Sequence, residues 1–315
     1  MKLTTLFILL TFLSCCAGCH PKAQITISVV GDDGKSVEGA EVTVVGFTKI
    51  RTGHTDRQGK FTVTIPNPVS SVDLAVNKKA YYSINRHIYE FNGGLVNGRW
   101  EPWNPEVELY LHRKGKAVPM IQRRVEAFFP VTNESVGYDL VLGDWVQPHG
   151  QGKTNDFIFT AIRNLAGDSE RSGTLELRFA SPADGLLRET IHWRNDYALR
   201  LASQAPLTGY SNRWLFTYRS KTNPDSRQKD VQASFSEDDN YYFRVRSQIN
   251  DRGEVTSALH GKIFWGIHYV LGSTDLNPLA GRTNPMPWVR FFYYINPDGT
   301  RNIESEEERQ QANEL

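Results

Sequence analysis

Apolar and polar positions alternate with a period of two through most of this chain. Ile25, Ile27 and Val29 alternate with Thr26 and Ser28, and Phe61, Val63 and Ile65 with Thr62 and Thr64. Val72, Leu74 and Val76 follow, and Val107, Leu109 and Leu111 alternate with Glu108, Tyr110 and His112. A strand with one buried face reads this way, and no helical period is visible here. Turn chemistry separates the runs at Gly31-Asp32-Asp33-Gly34, Asp56-Arg57-Gln58-Gly59 and Pro66-Asn67-Pro68. The pattern predicts a small antiparallel β-sandwich over residues 23–114.

A linker is expected at 115–121, and a second β-rich domain over 122–302. Phe157 to Ile162 reads as a strand. Leu175, Leu177 and Phe179 alternate with polar neighbours, as do Trp214, Phe216 and Tyr218, and Tyr241, Phe243 and Val245. Gln248 to Val255 carries hairpin chemistry, and Asn296-Pro297-Asp298-Gly299 ends an aromatic strand with a turn. Two short helices are predicted, Pro119 to Phe128 and Ile303 to Leu315. The second is an acidic tail, 303–315, read as solvated or frayed. The expected class is all-β: the first sandwich, then a larger sandwich or jelly-roll-like domain of no recognised family.

Three blocks in the first domain carry a resemblance. Val37-x-Gly39-Ala40-x-Val42 is followed by Thr55-Asp56-x-x-Gly59-x-Phe61, then by Val72-x-Leu74-x-Val76 with Lys79-Ala80-Tyr81. In order and spacing they resemble the carboxypeptidase regulatory-like domain, which implies a transthyretin-like, seven-stranded β-sandwich. That family commonly has Gly-Tyr where this chain has Ala80-Tyr81. Such domains are accessory modules for folding, spacing or binding, and the resemblance brings no catalytic residue with it.

The N-terminus reads as an address. Lys2 precedes an apolar run from Leu3 to Leu13, short of the roughly 20 residues that span a bilayer. Ser14-Cys15-Cys16-Ala17-Gly18-Cys19 then resembles the lipobox of bacterial lipoproteins. Cys19 fits best as the lipidated residue, which makes 1–18 the signal peptide and 19–22 a tether. Cys16, with Leu13 three residues before it, is the second candidate. An ordinary secretory signal is the alternative reading. The resemblance implies several acyl chains on the cysteine, enough for stable membrane anchoring without spanning. His20 is not the Asp of an inner-membrane retention signal, so the expected location is the bacterial cell envelope, outer membrane favoured, facing the periplasm or the surface.

Composition narrows the chemistry. The 315 residues hold 36 Lys and Arg against 35 Asp and Glu, so the chain as a whole has no basic excess and no nucleic-acid partner is expected. All three cysteines, Cys15, Cys16 and Cys19, fall in the leader. The body therefore has no disulfide, no Cys-ligated zinc and no thiol nucleophile, and must hold together by sheet burial. No cofactor or metal is expected. His-Glu-x-x-His and Gly-x-Ser-x-Gly are absent. Gly152-Lys153-Thr154 ends like a phosphate loop but lacks the first glycine, and a strand follows it where that loop needs a helix. His260 and His268 would share a strand face, but Gly261 and Gly266 predict a bulge between them.

Five side chains are candidates for ligand contact. Residues 92–105 form a long loop with Arg99, Trp100 and Trp103 beside Glu101. Loops of this length are enriched in function, and a Trp pair can stack on sugar rings or anchor a peptide. The alternative is that both rings fold back onto the sheet or the second domain. Trp145 and His149 mark a second loop. Tyr241-Tyr242 and Tyr293-Tyr294 each place a ring on an outer sheet face, where it is expected to be open to a partner. The favoured function is a non-enzymatic binding or structural module for a glycan or protein ligand. The alternative is a hydrolase acting on envelope or dietary polymers, its site in the second domain, because a carboxylate pair is a matter of space and not of sequence.

Overall fold

The computed structural model describes residues 21–165, 170–223, 225–271 and 286–314, so Cys16 and Cys19 lie outside the described residues. Among the described residues the fold is all-β apart from one helix near the C-terminal end. Two compact units are present. One comprises 21–29, 36–74 and 88–109; the other comprises 30–35, 75–87 and 110–314.

The N-terminal strands are β1 (Lys22–Gly31), β2 (Glu41–Val45), β3 (Ile50–His54), β4 (Lys60–Pro66), β5 (Ser71–Asn77), β6 (Ile84–Glu90), β7 (Leu95–Val96), β8 (Arg99–Trp100) and β9 (Glu106–Leu111). One sheet runs β4-β1-β8-β7 with β9 also on β1, and a second contains β6-β5-β2-β3 in that order. Ile25, Ile27, Val42, Val44, Val72 and Leu74 are fully or almost fully buried. The period-two reading therefore placed the core face of these strands correctly. The turns follow from their residues. Asp56 Oδ1 accepts the amides of Gln58 and Lys60, both at 2.9 Å. Gly59 has φ +73°, and a Cβ there would meet the Val29 carbonyl oxygen at 2.6 Å.

The second unit is a sandwich of two antiparallel sheets. Its strands are β10 (Ile121–Phe128), β11 (Ser135–Asp139), β12 (Asp144–Trp145), β13 (Phe157–Leu165), β14 (Glu170–Arg178), β15 (Gly185–Thr190), β16 (Asp196–Tyr197), β17 (Arg213–Thr222), β18 (Lys229–Ala233), β19 (Asp239–Ile249), β20 (Val255–Val270) and β21 (Trp288–Asn296). The front sheet is β10-β21-β20-β19-β15 and the back sheet is β12-β11-β13-β14-β17-β18. Between them lies a core of Phe157, Phe159, Leu175, Leu177, Phe216, Tyr241, Phe243, Ile263, Phe291 and Tyr293. Many of its rings meet edge to face, as Phe157 does with Phe243 at 5.8 Å.

Three expectations need correction. Residues 121–128 are a strand and not a helix: β10 pairs with β21 along its whole length, and that ladder overrides a weak local helical pattern. The C-terminal segment is not a solvated tail. Helix α1 (Glu306–Glu314) starts with a capping box, in which the Glu308 amide donates to Ser305 Oγ at 3.1 Å and Glu308 Oε2 accepts the Ser305 amide. Ile303, Glu304 and Glu308 are buried. The Glu304 carboxylate accepts from Tyr82 Oη at 2.7 Å and from the Gly115 amide at 2.9 Å. Residues 115–118, expected as linker, thus run beside this segment, with Val118 N donating to the Glu304 carbonyl oxygen at 2.8 Å. Third, Tyr242 and Tyr294 do point to the outer face of the front sheet, but they are covered there. With Leu201, Ala205, Phe264 and Ile303 they form a satellite cluster.

His260 lies in this covered region, opposite Arg244 on β19 and Asn296 on β21. Burial, then the Arg244 and Arg301 guanidiniums, push its imidazole down to about 4. The folded state holds the ring neutral, whereas the unfolded chain takes up a proton below about pH 6.5. Stability is therefore expected to fall by about 3 kcal/mol as pH drops from 6.5 to 4 through this group. Urea unfolding across that range checks it: His260→Gln should flatten this part of the profile.

Candidate functional site

Among the described residues, the outer face of the front sheet is covered at one end and open at the other. Register explains the division. Gln122, Tyr294, Lys262 and Tyr242 line up across β10, β21, β20 and β19. The Lys262 and Tyr294 positions in this row lie beneath α1, where the Lys262 ammonium is paired with Glu308. Next come the row Arg124, Phe292 and Phe264, whose Phe264 ring still belongs to the covered cluster, and the row Glu126, Arg290 and His268. There the surface sinks into a groove of about 410 Å³, within the range of small-ligand sites. Its lining includes Trp193, Phe264, Trp265 and Phe292 with Arg124, Glu237, His268 and Arg290.

Two large aromatics stand open in it: Trp193 is 55% and Trp265 46% exposed. Trp265 is displayed by a break in the β20–β21 register between Phe264 and His268. At the break Trp265 has φ +58° and Gly266 φ +80°. A left-handed tryptophan is costly and persists only where its surroundings hold it. Here His268 Nε2 donates to the Trp265 carbonyl oxygen at 2.6 Å. Burial lowers the affinity of that imidazole for a second proton. Gly266 packs so tightly that a Cβ would meet the Ser236 carbonyl oxygen at 2.5 Å. The Trp265 indole lies 5.7 Å from the Phe292 ring at 31°, and the buried Phe264 ring supports it from 5.8 Å.

The segment before β19 holds the second tryptophan. Asp238 Oδ1 accepts the Trp193 amide at 2.6 Å, and the Asp238 carbonyl oxygen accepts the Ile191 amide at 2.8 Å. His192 stacks beside the Trp193 ring at 6.2 Å, and the Arg194 guanidinium lies 5.7 Å from its centroid.

The sequence-predicted candidates fall elsewhere. Arg99, Trp100 and Trp103 are brought together in the first unit, on the β7–β8 hairpin and the residues after it. Their interactions are internal: Trp100 Nε1 donates to the Asn67 carbonyl oxygen at 2.9 Å, and the Arg99 guanidinium covers the Trp103 ring at 4.9 Å. Trp145 belongs to the sandwich core, 7% exposed, with its ring 5.2 Å from Tyr138 and 5.3 Å from Phe129. A ligand has no access to that ring, so Trp145 is corrected from candidate contact to core residue. His149 is exposed on a turn, its amide on the Val146 carbonyl oxygen at 3.1 Å. In the same loop Asp139 Oδ2 takes the Lys153 and Thr154 amides, both at 3.0 Å, and these are the donors a phosphate would need. The bulge expected between His260 and His268 is present, at Gly266. Of the groove side chains the sequence pattern marks only His268, although the Gly266 bulge signal lies next to Trp265. Trp193 sits in a polar run with no period to mark it.

No protein-family model and no curated protein matches the sequence. Among solved structures, a Bacteroides uniformis protein provisionally assigned as carbohydrate-binding aligns over 86% of this chain and 98% of its own, with 11% identity and a TM-score of 0.21. A DUF3823 family protein from Parabacteroides merdae covers the same shares at 9% identity and a TM-score of 0.22. The shaft pilin SpaA from Lactobacillus rhamnosus GG aligns over 76% of this chain and 92% of its own, at 11% identity and a TM-score of 0.23. TM-scores this low establish no relationship, so fold and site rest on the geometry above.

Proposed function

We propose that this protein is a lipid-anchored binding module of the bacterial envelope that holds a glycan in the groove of its second unit. The observation that carries the reading is the pair of exposed indoles, Trp265 and Trp193, with Trp265 backed by the half-buried Phe292 and flanked by charged hydrogen-bonding groups. Sugar rings present apolar C–H faces to aromatic rings while their hydroxyls seek directional polar partners, and an amphipathic groove offers both. The lipobox-like Cys19 supports the anchor. The carboxypeptidase regulatory-like blocks support an accessory role for the first unit.

Glycan binding by the full chain tests the reading, on a polysaccharide array and then by calorimetry. Trp265→Ala and Trp193→Ala are each expected to weaken binding about tenfold, near 1.4 kcal/mol, with the melting temperature unchanged. A loss confined to the Trp100→Ala plus Trp103→Ala variant would move the site to residues 92–105. Release of new reducing ends from the bound polymer would replace the binding role by the hydrolase alternative.

A further inference from the structure

The polar groups of the groove are unequally satisfied, and the imbalance has a sign. Arg124 is engaged: its Nη2 donates to Glu126 Oε1 at 2.8 Å. Arg290 makes no hydrogen bond among the described residues. Its nearest carboxylate oxygen, on Glu237, is 3.9 Å from Nη2, beyond hydrogen-bond reach, and Glu237 is the more exposed of the two, 58% against 42%. The indole Nε1 atoms of Trp193 and Trp265 also have no acceptor among the described residues. The charged residues of the lining are two arginines and one glutamate. His268, with Nε2 committed to the Trp265 carbonyl oxygen, adds no fixed charge when neutral. The groove thus offers a surplus of donors and an unbonded guanidinium fork between aromatic faces.

Resting on the glycan reading, we propose that the groove selects acidic sugars: a uronic-acid ring stacks on Trp265 and Phe292 while its carboxylate is gripped by Arg290. Register places Arg290 two residues from Phe292 on β21, hence on the same face, and opposite His268 on β20. A ring lying on Phe292 therefore reaches Arg290 with a substituent at its edge. A planar fork suits a carboxylate in two parallel hydrogen bonds, which are stronger than those to neutral hydroxyls. Glu237 stands as the competing anion that an incoming carboxylate displaces. On β10, Glu126 is held by Arg124, so it is less able to repel the ligand. Arg194 is withdrawn over the Trp193 ring and leaves Arg290 as the primary contact.

The test uses the full chain with oligogalacturonate, its methyl ester, hyaluronan oligosaccharides, and neutral xylo- and laminari-oligosaccharides. At least one carboxylated ligand is expected to bind ten times or more tighter than the neutral ones, and esterification should remove that gain. Arg290→Gln should cost the acid ligand about tenfold and the ester little, with the melting temperature unchanged. Arg290→Lys should recover only part, because charge returns without the fork. Raising salt from 0.05 to 0.5 M should weaken the acid ligand selectively, on the grounds that exposed charges are screened. Equal affinity for acid and ester, or an Arg290→Gln variant that binds the acid normally, overturns the inference. If neutral glycans then bind in a Trp265-dependent way, the glycan groove itself still stands. If no glycan in the panel binds in a Trp265-dependent way, both readings fall.

Discussion

Replacing Glu308 by alanine is expected to destabilise the protein by about 3–5 kcal/mol, the usual cost of leaving a buried charge without its partner. The charge is the Lys262 ammonium, whose side chain is 0% exposed. It lies between the rings of Phe264, 5.5 Å away, and Tyr294, 5.4 Å away, with the Glu308 carboxylate as its ion-pair partner. Burial lowers the proton affinity of this lysine, and Glu308 and then Glu304 work against that shift. Without Glu308 the amine must either shed its proton or draw water under α1. Guanidinium unfolding measures the loss. The control is Lys262→Met with Glu308→Leu, which removes both charges and fills the space, and should lie much closer to wild type than the single variant. A single variant within about 0.5 kcal/mol of wild type, the usual scale for surface substitutions, would show that α1 is not held by this pair.

The second large effect is expected at Arg246. Its Nε donates to Asp156 Oδ1 at 2.8 Å and its Nη2 to Asp139 Oδ1 at 2.9 Å. Both carboxylates are buried, with side chains 3% exposed or less. Their proton affinities are shifted in opposite directions. Burial raises Asp139, but the amides of Leu142, Lys153 and Thr154, followed by Arg246, outweigh it and hold the group below its ordinary value. For Asp156 burial wins over Arg246, and the group is raised. Arg246→Ala leaves two facing buried anions and is expected to cost about 3–5 kcal/mol at pH 7. The loss has a pH signature. Without the guanidinium both carboxyls titrate higher in the folded state, so the variant's deficit should be largest at neutral pH. It should narrow as the pH falls toward 4 and protonation removes the repulsion. Unfolding curves at pH 7 and pH 4.5 check this; a deficit equal at both would mean that lost packing of the arginine stem, and not charge, is responsible.

The two sites show what kind of information was hidden. Nothing near Glu308 in the sequence marks it as buried, because its environment is Lys262, a residue 46 positions away on another element. An acidic run at a chain end reads as solvated, and only docking onto the front sheet reverses that. Trp145 erred in the opposite direction. A tryptophan in a loop-like segment with Gly143 and Pro148 looks available, yet β12 pairs with β11 and turns its ring into the core. Local pattern reports how a segment alternates and not which other segment covers it.

What the sequence determined by itself is the class and much of the strand plan. Period-two patterning, the Asp56 and Asn296 turns and the Gly266 bulge are local properties, set by steric limits on a few neighbouring residues, and they survive into the structure. The confinement of all three cysteines to residues 15–19 is likewise a matter of sequence alone. The tertiary structure decided the groove. Arg124, Trp193, Trp265, Arg290 and Phe292 come from four separate stretches of chain and meet because β10, β21 and β20 pair side by side, with the Trp193 segment alongside, and because, among the described residues, α1 covers only one end of the strands' common face. That juxtaposition is a long-range consequence of strand pairing, and no window of neighbouring residues encodes it.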